Sequence, residues 1–162
     1  MTFFQRLPKR LFFLLVVKPV VYLLLGLNIY SAQRLPARGP AILAANHNSH
    51  LDTLVLMALY PLSQLHRVRP VAAADYFLRN RFTSWLSLNV IGIIPLDREG
   101  QVDKEKVFDL CQQALANDEI LLLFPEGSRG EAEKLQPLRK GIYHLARSHL
   151  GTKVVPIAMH GL

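Results

Sequence analysis

Residues 40–59 read Pro-Ala-Ile-Leu-Ala-Ala, then Asn-His-Asn-Ser-His-Leu-Asp, then Thr-Leu-Val-Leu-Met-Ala-Leu. Ala41–Ala45 is an apolar run of strand length. Asn46, Asn48 and Ser49 are turn and N-cap types, and Ser49–Leu59 carries the residues of a helix. A strand feeding a helix through a polar turn is one repeat of an α/β domain, and the rest of the chain continues the alternation. Strands are predicted at Ala41–Ala45, Val68–Ala74, Asn89–Leu96, Glu119–Phe124 and Lys153–Met159. Helices are predicted at Ser49–Leu59, Tyr76–Leu88, Asp103–Ala116 and Pro137–Leu150. In the third helix Val107, Leu110, Cys111, Ala114 and Leu115 share a face, and Gly151 caps the fourth. This order predicts an α/β fold with a mainly parallel sheet flanked by helices. In such sheets ligands gather beyond the carboxyl ends of the strands, where the turn at His47 falls.

The turn holds a histidine and an aspartate five positions apart. Imidazole titrates near working pH, so His47 can take a proton from an attacking hydroxyl. A carboxylate on its far nitrogen fixes the tautomer and stabilises the imidazolium. On one regular helix five residues span about 500°, which would separate the two side chains. The pair therefore requires His47 in the turn and Asp52 already in the helix. Two other readings stay open on these residues: a solvated loop pair, and an H-x-x-H-x-D metal set of His47, His50 and Asp52. The other histidines form no further ligand cluster, which favours His50 as a helix-start residue flanking the pocket.

Two further strands end on charged turns. Phe124-Pro-Glu-Gly-Ser-Arg-Gly130 combines Pro and Gly in a tight turn. It presents Glu126, an acceptor for ligand hydroxyls, and Arg129, whose planar fork suits a phosphate. Gly92-Ile-Ile-Pro-Leu-Asp-Arg98 brings Arg98 to a third strand end. Taken singly, each also reads as an ordinary solvated turn.

The chain has 162 residues, enough for one domain, and 51% of them are hydrophobic. The excess lies at the front, where Leu11–Tyr30 is almost wholly apolar behind Arg6, Lys9 and Arg10. A bilayer span needs about 20 apolar residues, but Lys18-Pro19 interrupts this run. The reading is two short helices broken at Pro19 and lying in one leaflet, residues 1–30, joined by a linker, residues 31–39, to a core, residues 40–162. The basic flank places that end on the cytoplasmic face. Nineteen Lys and Arg against twelve Asp and Glu give a net charge of +7. The basic residues are scattered, which argues against a nucleic-acid partner and suits an anionic membrane surface. The single cysteine, Cys111, excludes an internal disulfide and reads as a small core residue.

An HxxxxD turn, a strand-end arginine, an FPEGSR turn and a late Val155-Pro156-Ile157 strand, in this order, resemble the glycerolipid acyltransferase family, which includes the lysophosphatidic acid acyltransferases. The resemblance covers about residues 40–160. It implies transfer of a fatty acyl group from acyl-CoA or acyl carrier protein to a hydroxyl of a lysophospholipid acceptor. It implies His47 as general base oriented by Asp52, and attack without an acyl-enzyme, consistent with the absence of a G-x-S-x-G elbow. It implies Arg98 and Arg129 on the acceptor phosphate and Glu126 and Gly127 around its glycerol, with Lys140 adding to the phosphate field or simply solvated. No metal and no bound cofactor are implied. The N-terminus also resembles the membrane-docking helices of bacterial members. Family members continue beyond the fourth motif, so this chain, ending at Leu162, is expected to lack the C-terminal part of the domain. Two readings from other classes remain: a non-catalytic membrane lipid-binding module, and a metal-dependent hydrolase.

Overall fold

The computed structural model describes residues 3–49, 51–73, 80–96, 104–128 and 134–161. Five strands, β1 (Ala41–Ala45), β2 (Val68–Ala73), β3 (Ile94–Leu96), β4 (Ile120–Leu123) and β5 (Lys153–Ile157), form one sheet in the order β3-β2-β4-β1-β5. Every pairing is parallel. Among the described residues the α-helices are α1 (Phe3–Phe12), α2 (Asp52–Ala58), α3 (Arg81–Trp85), α4 (Lys104–Ala116) and α5 (Gly141–Ser148).

Alternation along β1 divides the core. Ala41, Leu43 and Ala45 pack with Phe13 and Val17, just beyond α1, and with Leu56 and Met57 of α2. Ile42 turns to the other face and meets Val107, Cys111, Leu115 and Leu145 of α4 and α5. Successive strand side chains point to opposite faces, so a run apolar at every position is what a strand covered on both sides requires. Gly39 leads into β1 where the chain passes against the Glu119 carbonyl, and a Cβ there would collide with it.

Two expectations are corrected. The N-terminal helix is not broken at Pro19. Beyond α1 the chain stays helical through two wide-turn stretches, Phe13–Val17 and Val20–Leu24, and Lys18 and Pro19 both keep right-handed helical angles. Widening to i→i+5 hydrogen bonds, as from Lys18 N–H to the Phe13 carbonyl, relieves the clash between a proline ring and the preceding turn. It also answers a spacing problem. The buried positions are Lys9, Phe13, Val17 and Val21, a repeat of four, which drifts about 40° per step on an α-helix of 3.6 residues per turn. Wide turns hold that seam against the core. The opposite seam, Leu7, Leu11, Leu15 and Leu23, is 41%, 45%, 68% and 80% exposed. Among the described residues no helix is long and apolar enough to cross a membrane.

The second correction concerns Asn89–Leu96, of which only Ile94–Leu96 is strand. Leu86–Ile91 continues α3 in wide turns. Gly92, at φ 75°, ends it, and the N–H groups of Gly92 and Ile93 both donate to the Ser87 carbonyl. An apolar β-branched run does not by itself distinguish strand from helix. Here Gly92 is a helix cap, not a residue inside a strand.

Candidate active site

β1 and β4 are neighbours in register, with Ala44 opposite Leu123. The turns that follow them therefore emerge side by side. In the first, Asp52 stands at the start of α2, completely buried, and its Oδ2 lies 2.9 Å from His47 Nδ1. The same oxygen accepts the backbone N–H groups of Asn48 and Ser49 at 2.7 and 2.8 Å. Polar turn residues make this possible: the chain folds back over the helix start, so that backbone donors and an imidazole converge on one carboxylate. Oδ1 has no hydrogen-bond partner among the described residues. The His47 ring stacks on Phe124 of the second turn, centroids 4.1 Å apart and planes at 20°, so both its position and its tilt are set.

The second turn closes with Gly127 N–H donating to the Phe124 carbonyl at 3.0 Å. Gly127 has φ 77°, and a side chain there would strike Arg139. Glu126 is buried, 4% exposed. Its Oε1 accepts the His47 N–H at 2.9 Å and its Oε2 accepts the Gln136 N–H at 3.0 Å. A carboxylate has about four acceptor positions, so these two bonds leave further capacity. Arg139 completes the cross-link, donating its N–H to the Pro125 carbonyl at 2.8 Å and its Nε to the Glu126 carbonyl at 3.3 Å. The structure thus brings His47, Asp52, Glu126 and Gly127 together. Arg98, Arg129 and His50 lie outside the described residues.

Three contributors were not visible as such in the sequence. Asn46 donates its side-chain amide to the Met159 carbonyl at 2.8 Å and accepts the Met159 N–H at 2.6 Å. Asn48 donates to the same carbonyl at 3.0 Å. These amides, read as turn formers, clamp the segment after β5 onto the His47 turn. Arg139, read as one more scattered cation, supports Glu126. An apolar groove between the N-terminal helix and α2 is lined by Phe12, Val16, Val20, Leu51, Leu54 and Val55, and Leu51 precedes Asp52 directly.

Among the described residues no three His, Cys, Asp or Glu side chains are grouped to hold a metal. Cys111 is buried, and burial pushes its thiol up to about 11, slightly opposed by Arg69. It packs against the face of the sheet opposite α1 and α2, as a core residue.

Comparison with known proteins identifies the family. The family model for Acyltransferase matches residues 26–160. The chain belongs to the acyltransferase family. It is 29% identical over 133 residues to the 1-acyl-sn-glycerol-3-phosphate acyltransferase alpha of Homo sapiens, covering 82% of this chain and 44% of that protein. Similarity to a chloroplastic 1-acyl-sn-glycerol-3-phosphate acyltransferase of Arabidopsis thaliana is 26% over 142 residues, 87% of this chain and 38% of the relative. A Chlamydomonas reinhardtii protein of the same name is 30% identical over 127 residues, 78% of this chain and 36% of the relative. The chain thus spans less than half the length of these curated relatives. No solved structure matches.

Proposed function

We propose that this chain carries the reaction centre of an O-acyltransferase that moves a fatty acyl group from acyl-CoA or acyl carrier protein to a hydroxyl of a lysophosphatidic-acid-like acceptor. The observation that carries this reading is the 2.9 Å contact between His47 Nδ1 and the fully buried Asp52 carboxylate. With Nδ1–H held by Asp52, Nε2 is the basic nitrogen. It removes the acceptor hydroxyl proton as the oxygen attacks the thioester carbonyl carbon. The tetrahedral intermediate collapses with cleavage of the C–S bond, and the imidazolium returns the proton to the departing thiolate. Ester and free thiol are the products, and no acyl-enzyme forms. Asp52 stabilises the transient imidazolium, an arrangement that contributes about 10²- to 10⁴-fold to rate.

In this reading Arg98 and Arg129 hold the acceptor phosphate, and Glu126 and Gly127 shape the glycerol site. Glu126 does so in part by fixing the His47 backbone. The apolar groove beside Leu51 accepts acyl chain. Residues 1–30 dock on the cytoplasmic face of an anionic membrane, which the exposed Leu7–Leu23 seam favours. Residues 31–39 link that segment to the α/β domain of residues 40–162.

The test is acyl transfer from a radiolabelled thioester, acyl-CoA and acyl carrier protein in turn, to a panel of lysophospholipids and glycerol 3-phosphate. His47→Ala is expected to lower the rate at least 10³-fold with the fold intact by circular dichroism. Activity persisting within a few-fold removes His47 as the base.

A further inference from the structure

A second cluster of charged side chains lies at the amino edge of the sheet, away from His47. Ala41, Val68, Ile120 and Lys153 start their strands in register there. Immediately before β2, the turn Leu65–Arg67 packs against α1. Lys9 of α1 donates to the Val68 and Ile91 carbonyls at 3.1 and 2.9 Å, which pins the helix to this edge. Arg6 and Arg10, one turn apart and on the same side of α1, are thereby held next to His66 and Arg67.

We propose that Arg6, Arg10, His66 and Arg67 form an oxyanion site that takes a phosphate group.

Three buried polar atoms support this. Arg6 Nε, Arg10 Nε and His66 Nδ1 have no hydrogen-bond partner among the described residues. An arginine Nε–H is always a donor, and a buried donor without a partner calls for a missing acceptor. The charged groups acting on His66 are Arg6, Arg67 and Arg10, all cations. After burial, the largest effect, they hold its imidazole below the ordinary histidine value, while the Ser63 backbone pulls the other way. The ion pairs among the described residues are His47–Asp52 and Arg69–Glu119; the Glu119 carboxylate, paired to Arg69, acts more weakly on Arg67. Cations arriving from a helix and from a turn need more acceptors than one carboxylate plane offers. A phosphate presents oxygens in several directions and suits guanidinium forks.

The phosphate has two possible sources, a lipid headgroup or a soluble phosphate compound. Leu7 and Leu11 on α1 are exposed, as are Phe82 and Trp85 on α3, whose wide-turn continuation Leu86–Ile91 packs against α1. Trp and basic residues above an apolar face suit a bilayer interface. The site stands independently of the reaction at His47.

Titrating the 162-residue chain with inorganic phosphate while following the His66 ring resonances by NMR tests the site. Saturable movement of His66 is expected, weakened at least tenfold by Arg6→Gln/Arg10→Gln and retained in Lys106→Gln/Arg147→Gln, which removes the same charge from exposed positions on α4 and α5, across the sheet from α1. Arg67→Gln, on the turn instead of the helix, is expected to weaken it at least threefold with the far-UV spectrum unchanged. Co-sedimentation with phosphatidylcholine vesicles, with and without phosphatidic acid, then separates the sources. Loss of about tenfold in phosphatidic acid binding beyond the charge-matched control assigns the site to a headgroup. Equal loss in both variants, with the His66 response intact, assigns it to a soluble phosphate. A His66 signal unmoved by phosphate, or weakened equally by the control pair, overturns the proposal.

Discussion

The two edges of the sheet solve opposite electrostatic problems. At the carboxyl edge two buried carboxylates, Asp52 and Glu126, are held by the backbone N–H groups of His47, Asn48, Ser49 and Gln136. At the amino edge, cations on long side chains face one another across α1, the Leu65–Arg67 turn and β2, with Glu119 paired to Arg69 as the described counter-charge. Backbone donors cannot change rotamer. The carboxyl edge is therefore preorganised before any ligand arrives, which is what a proton-transfer centre needs. Long side chains with unpartnered atoms adjust to what they meet.

Substitutions that exchange one kind of support for the other sharpen this contrast. The largest effect is expected from Asp52→Asn. Its amide no longer fixes the His47 tautomer or stabilises the imidazolium, so acyl transfer in single turnover should fall about 10²- to 10⁴-fold. A rate within threefold of the parent would show that Asp52 does not orient the base. Next comes Glu126→Gln, whose NH2 group must face one of two backbone N–H groups. A buried donor left unsatisfied costs about 1–3 kcal/mol, to be read as an earlier midpoint in urea unfolding. An unchanged midpoint would mean that these bonds add nothing to stability.

A third test concerns Lys9. Burial, with a further push from Arg69 and a smaller opposing pull from Glu119, lowers its ammonium from 10.5 to about 7. Between those values the unfolded chain binds the proton and the folded one does not. Stability should therefore rise with pH from about 7 towards 10.5 and be flat, as far as Lys9 is concerned, below 7. Urea unfolding from pH 7 to 9.5 should show a shallower rise in Lys9→Met than in the parent. Equal slopes would remove Lys9 as the source.

The α/β order, all five strand locations and the adjacency of His47 to Asp52 were legible in the sequence, because each depends on local period or on a spacing of a few residues. β3 was overextended because Val90, Ile91, Ile93 and Ile94 suit either element, and only the Gly92 cap resolves them. Lys9 read as a flanking charge because its acceptors lie 59 and 82 residues away. The Glu126 bond to His47 and the Asn46 bond to Met159 span 79 and 113 residues. No spacing rule in the chain announces such partners.

That last separation has a kinetic consequence. β1 pairs only with strands that begin at residues 120 and 153, and its turn is clamped by Met159. During synthesis Ala41–Ala45 must therefore wait, apolar and unpaired, until β4 begins at residue 120, and its second edge stays open until β5 begins at residue 153. Contacts so distant in sequence form late and leave strands exposed to aggregation meanwhile. The His47 turn is among the earliest strand-end turns to be made and the last to be completed. In pulse-labelled hydrogen exchange during refolding, the amides of β1 should gain protection only in the final phase, together with those of β5.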